Sequence, residues 1–419
     1  MARLAYSLLL YLITPLIWLR LGWRGRKQPE YLRHLGERYG LYRQTAPSKL
    51  IWVHAVSVGE TRAAQPLIDG LCAQWPDHQI LLTGMTPTGR AAGHEVYGER
   101  VIQAYLPYDY PGAVARFFNH FRPAFGVLME TEIWPNLLAS AERHGVPVFL
   151  ANARLSVRSA RGYGRFSRLV RPAFAALAGV AAQTAGDAER LLALGARVVE
   201  VCGNLKFDVQ PSAEKMALGK QWRQALGARP VWLAASTREG EEALILQAWR
   251  QVSVADALLV LVPRHPQRFA AAADLLAQQG VNFVRRSAAL PTADTEVWLG
   301  DSMGEMVAYY SLADLAFIGG SLLPLGGQNL IEAAACDCPV LVGPHTFNFL
   351  QATQDAIAAG AARRIDNPAA LAAAVNGLFQ AKTDLAAMRT AASQFAAAHQ
   401  GAAARMLALI AQRLDRAAR

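Results

Sequence analysis

The stretch FIGGSLLPLGGQNLIEAAACDCPVLVGPHTFNF, residues 317–349, indicates the fold. A short apolar run ends at Gly319 and Gly320, and a second pair of glycines leads into a helix-forming segment that begins at Asn329. Glycines let a backbone approach a ligand, and a helix N-terminus favours an anion. The pattern predicts a strand, a phosphate-binding loop, a helix and a second strand. Glycine loops are weak signals, so a corner that serves packing alone stays open at this point.

Apolar runs followed by polar or glycine-bearing loops recur along both sides of this stretch. They occupy residues 50–53, 80–83, 124–128, 146–150, 198–201, 231–235, 258–262, 297–299, 315–318 and 339–342. Repeated strand-loop-helix units predict parallel sheets that bind ligands at the carboxyl ends of their strands. The length of 419 residues suggests two domains of about 200 residues each. We expect the link between them in the polar segment 211–229.

Composition narrows the class of protein. With 53% hydrophobic and 18% charged residues, the chain can form large cores and has little material for disorder. The net charge of +10 points to an anionic partner, either nucleic acid, a phosphorylated substrate or an acidic membrane. No nucleic-acid recognition motif is present, which disfavours the first. The four cysteines show no zinc spacing, so we expect reduced core residues.

The N-terminal segment is predicted to be a membrane anchor. Residues 4–19 are almost entirely apolar, and Arg20, Arg24, Arg26 and Lys27 follow them. This apolar length and basic exit are typical of a helix at a membrane interface, with the rest of the chain on the cytoplasmic side. A buried first helix of a soluble protein is the alternative.

Four charged residues in the first half follow predicted strands. Glu60 begins a helix beside Ser57, where it can act as a base or simply as a helix cap. Glu130 and Glu132 lie at a strand exit, where unpaired buried carboxylates are costly, so they either pair with basic groups or hold substrate hydroxyls. Lys206 is a cation for a phosphate or a developing negative charge, unless it forms a salt bridge to Glu130 or Asp208.

A run of arginines without intervening acids predicts a contact with lipid phosphates or an anionic bilayer. Their spacing of three and four places them on one helical face, although two glycines weaken the helix prediction. A solvated surface is the alternative. The residues are Arg154, Arg158, Arg161, Arg165 and Arg168.

Three loops in the second half are predicted to meet at one edge of a second sheet and to form a nucleotide pocket. Arg264 supplies a fixed cation, residues 303–305 supply backbone amides at a helix start, and Glu332 supplies an acceptor for ribose hydroxyls. The chain has no Asp-x-Asp motif. We therefore expect arginine and helix ends, rather than a metal, to meet the phosphate charge.

The blocks HAVSVGE, ETEIWPN, NARLS, GNLKFD, PRHPQRF, GDSMGE, GGSLLPLGGQNLIEAA and GPHTFNF span residues 54–349 in order. Through them the sequence resembles the 3-deoxy-D-manno-octulosonic acid (Kdo) transferases of lipopolysaccharide synthesis in Gram-negative cell envelopes. The resemblance implies an α/β fold of two Rossmann-like domains facing a cleft, the GT-B architecture of glycosyltransferases, with an N-terminal membrane-anchor helix. The expected boundaries are 1–27 for the anchor, 28–212 for the acceptor-binding domain and 213–419 for the CMP-Kdo-binding domain with its closing helices.

The resemblance also implies a reaction and a location. Kdo passes from CMP-Kdo to the glucosamine disaccharide of the lipid A precursor (lipid IVA), with inversion and without metal or cofactor, on the cytoplasmic face of the anionic inner membrane. Glu60 matches the general base, and Glu130 and Lys206 match positions that stabilise the transition state. The CMP site is implied to comprise Pro263, Arg264, Met303, Gly304, Glu305, Asn329, Leu330, Ile331 and Glu332. One departure is Gln328, where many relatives have histidine.

Two other functions remain compatible with the sequence. A related two-domain enzyme could use a UDP-sugar, as an epimerase or a lipid-linked glucosaminyl transferase. A membrane-associated nucleotide-sugar binding protein would use Glu60 only as a helix cap. Protection by cytidine rather than uridine nucleotides would distinguish a Kdo transferase from the first alternative. Substitution of Glu60 would distinguish it from the second, because loss of a helix cap alone should leave function largely intact.

Overall fold

The computed structural model describes the backbone of residues 1–418 and the side chains of residues 1–416. The chain forms two compact α/β units. Unit 1 comprises Met1–Val209 together with the residues from Gln400 onward, and unit 2 comprises Gln210–His399. Each unit contains a seven-stranded sheet in which all neighbouring strands run parallel.

The sheet of unit 1 has the order β3-β2-β1-β4-β5-β6-β7. Its strands are β1 (Leu50–His54), β2 (Gln79–Gly84), β3 (Val101–Tyr105), β4 (Phe125–Met129), β5 (Val148–Ala153), β6 (Gly179–Ala182) and β7 (Val199–Val201). Every residue of β1, β4 and β5 is buried, because helices cover both faces of a parallel sheet. Trp52 packs on one face against Phe117 and Phe118, whereas Ile51 and Val53 pack on the other.

The first ten helices of unit 1 precede its sheet or lie between its strands along the chain. They are α1 (Ala2–Leu12), α2 (Thr14–Lys27), α3 (Val58–Ala63), α4 (Gln65–Gln74), α5 (Pro87–Tyr97), α6 (Pro111–Phe121), α7 (Pro135–Arg143), α8 (Val157–Arg165), α9 (Ser167–Ala175) and α10 (Ala185–Ala193). The helical run predicted after the first strand is divided into α3 and α4 next to Pro66, whose missing N–H interrupts a continuous helix.

Unit 2 repeats the arrangement with the strand order β10-β11-β9-β8-β12-β13-β14. Its strands are β8 (Val231–Thr237), β9 (Leu258–Pro263), β10 (Phe283–Arg285), β11 (Val297–Leu299), β12 (Leu315–Ile318), β13 (Val340–Val342) and β14 (Ala362–Arg364). Its helices are α11 (Ala213–Leu226), α12 (Glu241–Trp249), α13 (Phe269–Gln278), α14 (Met306–Leu312), α15 (Ile331–Ala335), α16 (Leu350–Ala358), α17 (Pro368–Gln380) and α18 (Lys382–Ala398). The expected polar link at 211–229 is wrong in its form, because most of that segment is α11, which buries Trp222 against Trp298.

The last helix, α19 (Ala402–Ala418), belongs to unit 1, so the predicted C-terminal boundary of 213–419 needs correction for these residues. Met406 is fully buried within the core of unit 1. The carboxylate of Asp208 accepts the N–H groups of Gly401 and Ala403 at 2.6 Å each, which anchors the start of α19. The alanine-rich sequence gave no sign of this return, because packing alone decides it.

The predicted single N-terminal helix is two helices, because Pro15 lacks the N–H that a continuous helix requires. No single helix in the described part of the chain is both long and apolar enough to cross a bilayer. The pair α1 and α2, bent by 48° at their junction, meets those requirements together. One side of α1 and α2 contacts the rest of unit 1. Ser7 forms a hydrogen bond with Asn136, and Thr14 forms one with Tyr110.

Candidate active site

In both units the parallel strands bring their carboxyl ends to one edge of the sheet, and the predicted site residues follow those ends. In unit 1, Glu60 lies in α3 after β1, and Glu130 directly follows β4, the neighbour of β1 in the sheet. Lys206 lies in a short 3-10 turn, Leu205–Phe207, after β7. The structure therefore places all three predicted residues at the same edge of one sheet.

Glu60 is held in a capping arrangement at the start of α3. Its Oε2 accepts the backbone N–H of Val56 at 2.8 Å, and its Oε1 accepts the hydroxyl of Ser57 at 2.8 Å. The Ser57 oxygen in turn accepts the N–H of Glu60 at 3.3 Å, which makes the pair reciprocal. The capping role anticipated from the sequence is thus real, and it fixes the carboxylate at the strand exit.

Backbone conformation orients the other two groups. Glu130 has a φ of 57°, a left-handed conformation that is strained for a residue other than glycine and that tends to occur at functional sites. Lys206 is fixed by two asparagines, since the side-chain oxygen of Asn152 accepts the N–H of Leu205 and that of Asn204 accepts the N–H of Lys206, both at 3.0 Å. The backbone at this edge therefore holds Glu130 and Lys206 in defined positions.

The three charges act on one another. Burial raises the pKa of Glu60 above its usual value, the Val56 and Ser57 hydrogen bonds lower it, and nearby Glu130 raises it again while Lys206 lowers it. Burial lowers the pKa of Lys206, Glu130 and Glu60 raise it, and Arg154 lowers it. A half-buried carboxylate with raised pKa beside a half-buried ammonium is typical of acid-base chemistry.

Glu132 also belongs to this edge, where the sequence predicted that it pairs with a basic group or holds substrate hydroxyls, as Glu130 does. Its Oε2 accepts the indole N–H of Trp134 at 2.9 Å. The pKa of Glu132 is raised to about 7, mainly by burial and also by the neighbouring carboxylates Glu60 and Glu130, while the Trp134 hydrogen bond lowers it. The doubled acid in ETEIWPN was the available signal, since two carboxylates at one strand exit repel each other.

The arginine run does not form one helical stripe. Arg158, Arg161 and Arg165 lie on α8 and Arg168 lies on α9, because the chain leaves the helical conformation at Phe166. Arg154 follows β5 near Lys206, at the edge with the candidate catalytic residues. The prediction of a single cationic face is therefore wrong, and Arg154 separates from the other four.

The edge of unit 2 is organised by a buried carboxylate, Glu241, at the start of α12. Its oxygens accept the N–H groups of Gly320 at 2.5 Å, Leu322 at 3.0 Å and Arg238 at 3.0 Å. These bonds join the exit of β8 to the glycine loop after β12, and the side chain of Glu241 has no exposure to solvent. The Gly-Glu-Glu group at a helix start was the only hint of this role in the sequence, because Gly320 and Leu322 lie about eighty residues from Glu241.

Predicted donor-site residues follow three strands of this sheet. Pro263 ends β9 and Arg264 is exposed just beyond it. After β11, Met303 is exposed, Gly304 adopts a φ of 79°, and Glu305 forms an ion pair with Arg286 at 3.0 Å. The loop that contains these three residues therefore offers a fixed turn.

The segment Asn329–Glu332 was predicted to begin a helix, and α15 begins two residues later, at Ile331. Asn329 explains the delay, because its side-chain oxygen accepts the N–H of Ile331 at 3.2 Å. Leu330 and Ile331 are buried, so only their backbone can reach a ligand, whereas the Asn329 and Glu332 side chains are partly exposed. The fixed glycine loop and these two polar side chains share one strand exit.

Comparison with known proteins identifies the family. A family model described as 3-Deoxy-D-manno-octulosonic-acid transferase (kdotransferase) matches residues 33–209. A 3-deoxy-D-manno-octulosonic acid transferase of Bordetella pertussis is 46% identical over 424 residues, with 97% of this chain and 98% of that protein covered. The corresponding transferase of Haemophilus influenzae is 37% identical over 428 residues, with 99% and 100% covered.

The fold recurs in more distant enzymes. The crystal structure of UDP-GlcNAc 2-epimerase from Neisseria meningitidis bound to UDP-GlcNAc matches with a TM-score of 0.60, at 16% identity, over 87% of this chain and all of that one. At this identity the likeness concerns the fold alone, and the two parallel-sheet units resemble those of GT-B glycosyltransferases. The near full-length matches decide the identity: the chain belongs to the Kdo transferase family and is a glycosyltransferase of lipopolysaccharide biosynthesis.

Proposed function

We propose that the enzyme transfers Kdo from CMP-Kdo to the glucosamine disaccharide of the lipid A precursor lipid IVA, with inversion, and that Glu60 is the general base. The observation that carries this proposal is the placement of Glu60, Glu130 and Lys206 at one sheet edge, with the Glu60 carboxylate held by Val56 and Ser57. The family and the eight sequence blocks support the substrates, since the chain covers nearly the whole length of its relatives.

Glu60 takes the proton of the acceptor hydroxyl as that oxygen attacks the anomeric carbon. A single displacement of this kind reverses the configuration at the anomeric carbon, because the nucleophile enters opposite the leaving CMP. A raised pKa favours the role, since a base works best when its pKa approaches the operating pH. Ser57 and the Val56 amide hold the carboxylate in one orientation before the acceptor arrives.

Lys206 and Glu130 stabilise the transition state. The Lys206 ammonium is half-buried and close to carboxylates, so it can offset negative charge that develops as the phosphate leaves. Glu130, whose strained backbone aims it at the same edge, can offset positive charge that develops on the sugar ring. Such groups contribute mainly to kcat, because the charges they meet form only during the reaction.

The donor nucleotide binds at the strand exits of unit 2. The residues assigned to it are Pro263, Arg264, Met303, Gly304, Glu305, Asn329, Leu330, Ile331 and Glu332. Buried Glu241 supports this assignment, since it fixes the glycine loop that leads to Asn329. The phosphate charge is met by arginine and backbone amides, so we expect transfer to persist when divalent metals are chelated.

The acceptor is a lipid, and the surface of unit 1 fits a bilayer. On α1 and α2, Leu4, Leu8, Leu12, Leu16 and Leu19 are all more than half exposed. Their spacing puts them on one side, while Ser7 bonds to unit 1 on the other. Because α1 and α2 contact unit 1 along their inner side, we assign them an in-plane position in the cytoplasmic leaflet of the inner membrane rather than a span.

Basic side chains flank this apolar face. Arg24, Arg26 and Lys27 end α2, and α1 lies against α9, which carries Arg168. The arginines of α8 precede α9, with exposed Phe166 between the two helices. Guanidinium groups beside exposed leucines match anionic headgroups beside acyl chains, so Arg158, Arg161, Arg165 and Arg168 contact the membrane or the acceptor phosphates.

The reaction is tested with purified enzyme in detergent, CMP-Kdo and lipid IVA, and the products are analysed by mass spectrometry. We expect acceptor masses increased by whole Kdo units, and inhibition by CMP but not by UMP. Absence of Kdo addition together with turnover of a UDP-sugar would overturn the donor assignment.

The membrane surface is tested by flotation with vesicles of neutral or anionic phospholipid. We expect the wild type to float with anionic vesicles, and the triple substitution Arg158→Gln, Arg161→Gln and Arg165→Gln to weaken binding about 100-fold, at about 1 kcal/mol per charge. A matched control replaces three exposed arginines that lie outside α1, α2, α8 and α9, namely Arg43, Arg197 and Arg250. Equal flotation of both triple variants would show that α8 does not contribute to membrane binding.

A further inference from the structure

Arg238 lies directly after β8, the central strand of the sheet in unit 2, beside the donor loops. β8 and β9 pair so that Thr237 is opposite Pro263, and the N–H of Arg264 bonds to the Thr237 carbonyl at 2.9 Å. Arg238 and Arg264 are therefore the first residues beyond two paired strand ends. Their positions make them neighbours along the edge where the donor binds.

The backbone of Arg238 is fixed from two directions. Its N–H donates to Glu241 Oε2 at 3.0 Å, and its carbonyl accepts the N–H of Glu241 at 3.0 Å. The same carboxylate holds Gly320, so Arg238 and the glycine loop share one anchor. A side chain that starts from so constrained a backbone is directed before any ligand arrives.

The Arg238 side chain lies against the glycine loop. A Cβ built on Gly320 would be 3.5 Å from Arg238 Cγ and 3.2 Å from Gln328 Nε2. The arginine stem and the Gln328 amide thus flank the same glycine, at the exit of β12. Both side chains are partly exposed, so their polar groups can reach a ligand on this loop.

Arg238 and Arg264 make no ion pair within the described residues, whereas two other arginines near the donor loops do. Arg268 pairs with Glu242 at 3.3 Å, and Arg286 pairs with Glu305 at 3.0 Å. His265 is close to the two unpaired guanidiniums, since burial first and then Arg238 and Arg264 lower its pKa. Two adjacent cations without an acidic partner suit a ligand that carries two negative charges.

A Kdo donor has these two charges, because Kdo is an acid and its nucleotide link is a phosphodiester. A neutral sugar joined to CMP would present the phosphate alone. We propose that Arg238 binds the carboxylate of the donor's sugar acid while Arg264 meets the phosphate, which makes Arg238 a specificity determinant. The proposal rests on the proposed function, in which CMP-Kdo is the donor. Gln328 adds a neutral amide donor beside the same carboxylate.

The test compares the KM for CMP-Kdo with the inhibition constant of CMP in wild type, Arg238→Gln, Arg238→Lys and the remote control Arg250→Gln. CMP contains the phosphate but not the carboxylate. We expect Arg238→Gln to raise the KM for CMP-Kdo about 10- to 100-fold, the range of a charge-assisted hydrogen bond, and to leave CMP inhibition within about twofold. Arg238→Lys should recover part of the loss, and Arg250→Gln should match the wild type.

Each other outcome overturns a defined statement. Equal weakening of CMP-Kdo and CMP would make Arg238 a phosphate ligand, and no change in either would remove it from the donor site. Circular dichroism and thermal unfolding verify that the variants fold, and Arg238→Lys tests the site even if the glutamine variant is unstable. A wild type that transfers no Kdo, or that CMP does not inhibit, would refute the donor itself rather than the role of Arg238.

Discussion

Glu60 in unit 1 and Glu241 in unit 2 occupy corresponding places in two similar sheets. Each lies in the first turn of the helix after a central strand, and each accepts a backbone N–H from the preceding loop, of Val56 at 2.8 Å and of Arg238 at 3.0 Å. Glu241 is completely buried, and both of its carboxylate oxygens accept backbone N–H groups of loops. Glu60 is only half-buried and is influenced by Glu130 and Lys206.

The comparison teaches that the position at a strand exit does not decide the role of a carboxylate. Burial with three amide donors makes Glu241 a structural group, since its charge is balanced by dipoles that belong to the fold. Partial exposure beside another carboxylate and an ammonium leaves Glu60 able to exchange a proton. We therefore expect substitutions at the edge of unit 1 to change rates and substitutions at the Glu241 cluster to change stability.

The largest effect is expected from the cations of the two edges, Lys206 in unit 1 and Arg268 in unit 2. Lys206→Met should lower kcat by about 10²- to 10³-fold, as the loss of a group that stabilises a developing charge. Arg268→Met should leave kcat near that of the wild type and lower the free energy of unfolding, because it leaves the buried Glu242 carboxylate without its partner.

Steady-state transfer kinetics and urea unfolding of both variants provide the measurement. Lys206→Arg is a control for charge alone. The proposed difference between the two edges would be wrong if Lys206→Met kept its kcat and both methionine variants lost the same unfolding free energy.

Removal of the Glu241 carboxylate is expected to destabilise unit 2. Glu241→Ala leaves the N–H groups of Gly320, Leu322 and Arg238 without their acceptor, at a cost of about 3 kcal/mol or more in unfolding free energy. CMP affinity should fall as well, since the glycine loop loses its anchor. Urea unfolding and calorimetric titration with CMP check this, with Glu239→Ala, an exposed neighbour, as the control. Unchanged stability would contradict the structural assignment.

Ser57→Ala tests whether Glu60 in unit 1, unlike Glu241 in unit 2, acts through its proton. The Ser57 hydroxyl lowers the pKa of Glu60, so its removal should raise that pKa and shift the acid limb of the pH-rate profile to higher pH. Stability should fall by about 1 kcal/mol through the lost helix cap, and Ser57→Thr should restore both properties. A profile that loses amplitude without shifting would mean that Ser57 acts only as a cap.

Glu132 is expected to affect the pH dependence of stability rather than catalysis. Its pKa rises from 4.5 to about 7 in the folded state, so the folded protein holds this proton more tightly than the unfolded chain does. The contribution to stability is present below pH 4.5 and is lost as the pH rises through about 7. Glu132→Gln should therefore lose less unfolding free energy than the wild type between pH 5 and pH 8. Parallel curves for Glu132→Gln, wild type and the exposed control Glu99→Gln would contradict this.

The sequence predicted the features that depend on neighbouring residues. Apolar runs located most central strands, and the positions of Glu60, Glu130 and Lys206 followed from the rule that parallel strands end at one edge. The Ser57–Glu60 cap was visible in the same way, because its partners are three residues apart. Local periodicity and turn residues carry this information directly.

Features that depend on distant partners could not be predicted. Glu241 binds amides about eighty residues along the chain, and α19 returns to unit 1 through Asp208, almost two hundred residues earlier. Spacing alone also suggested one arginine face, but Phe166 ends α8 and turns Arg168 onto another helix. In each case the contact arises from packing that no sequence window contains.

The most direct test of the central claim is the transfer of Kdo from CMP-Kdo to lipid IVA by wild type, Glu60→Gln and Glu241→Gln, followed by mass spectrometry. Urea unfolding and CMP binding are measured on the same preparations. We predict that Glu60→Gln folds and binds CMP like the wild type but loses about 10²- to 10⁴-fold in rate, the usual contribution of a general base. We predict that Glu241→Gln mainly loses stability. Full activity of a folded Glu60→Gln would contradict the account and return Glu60 to a capping role.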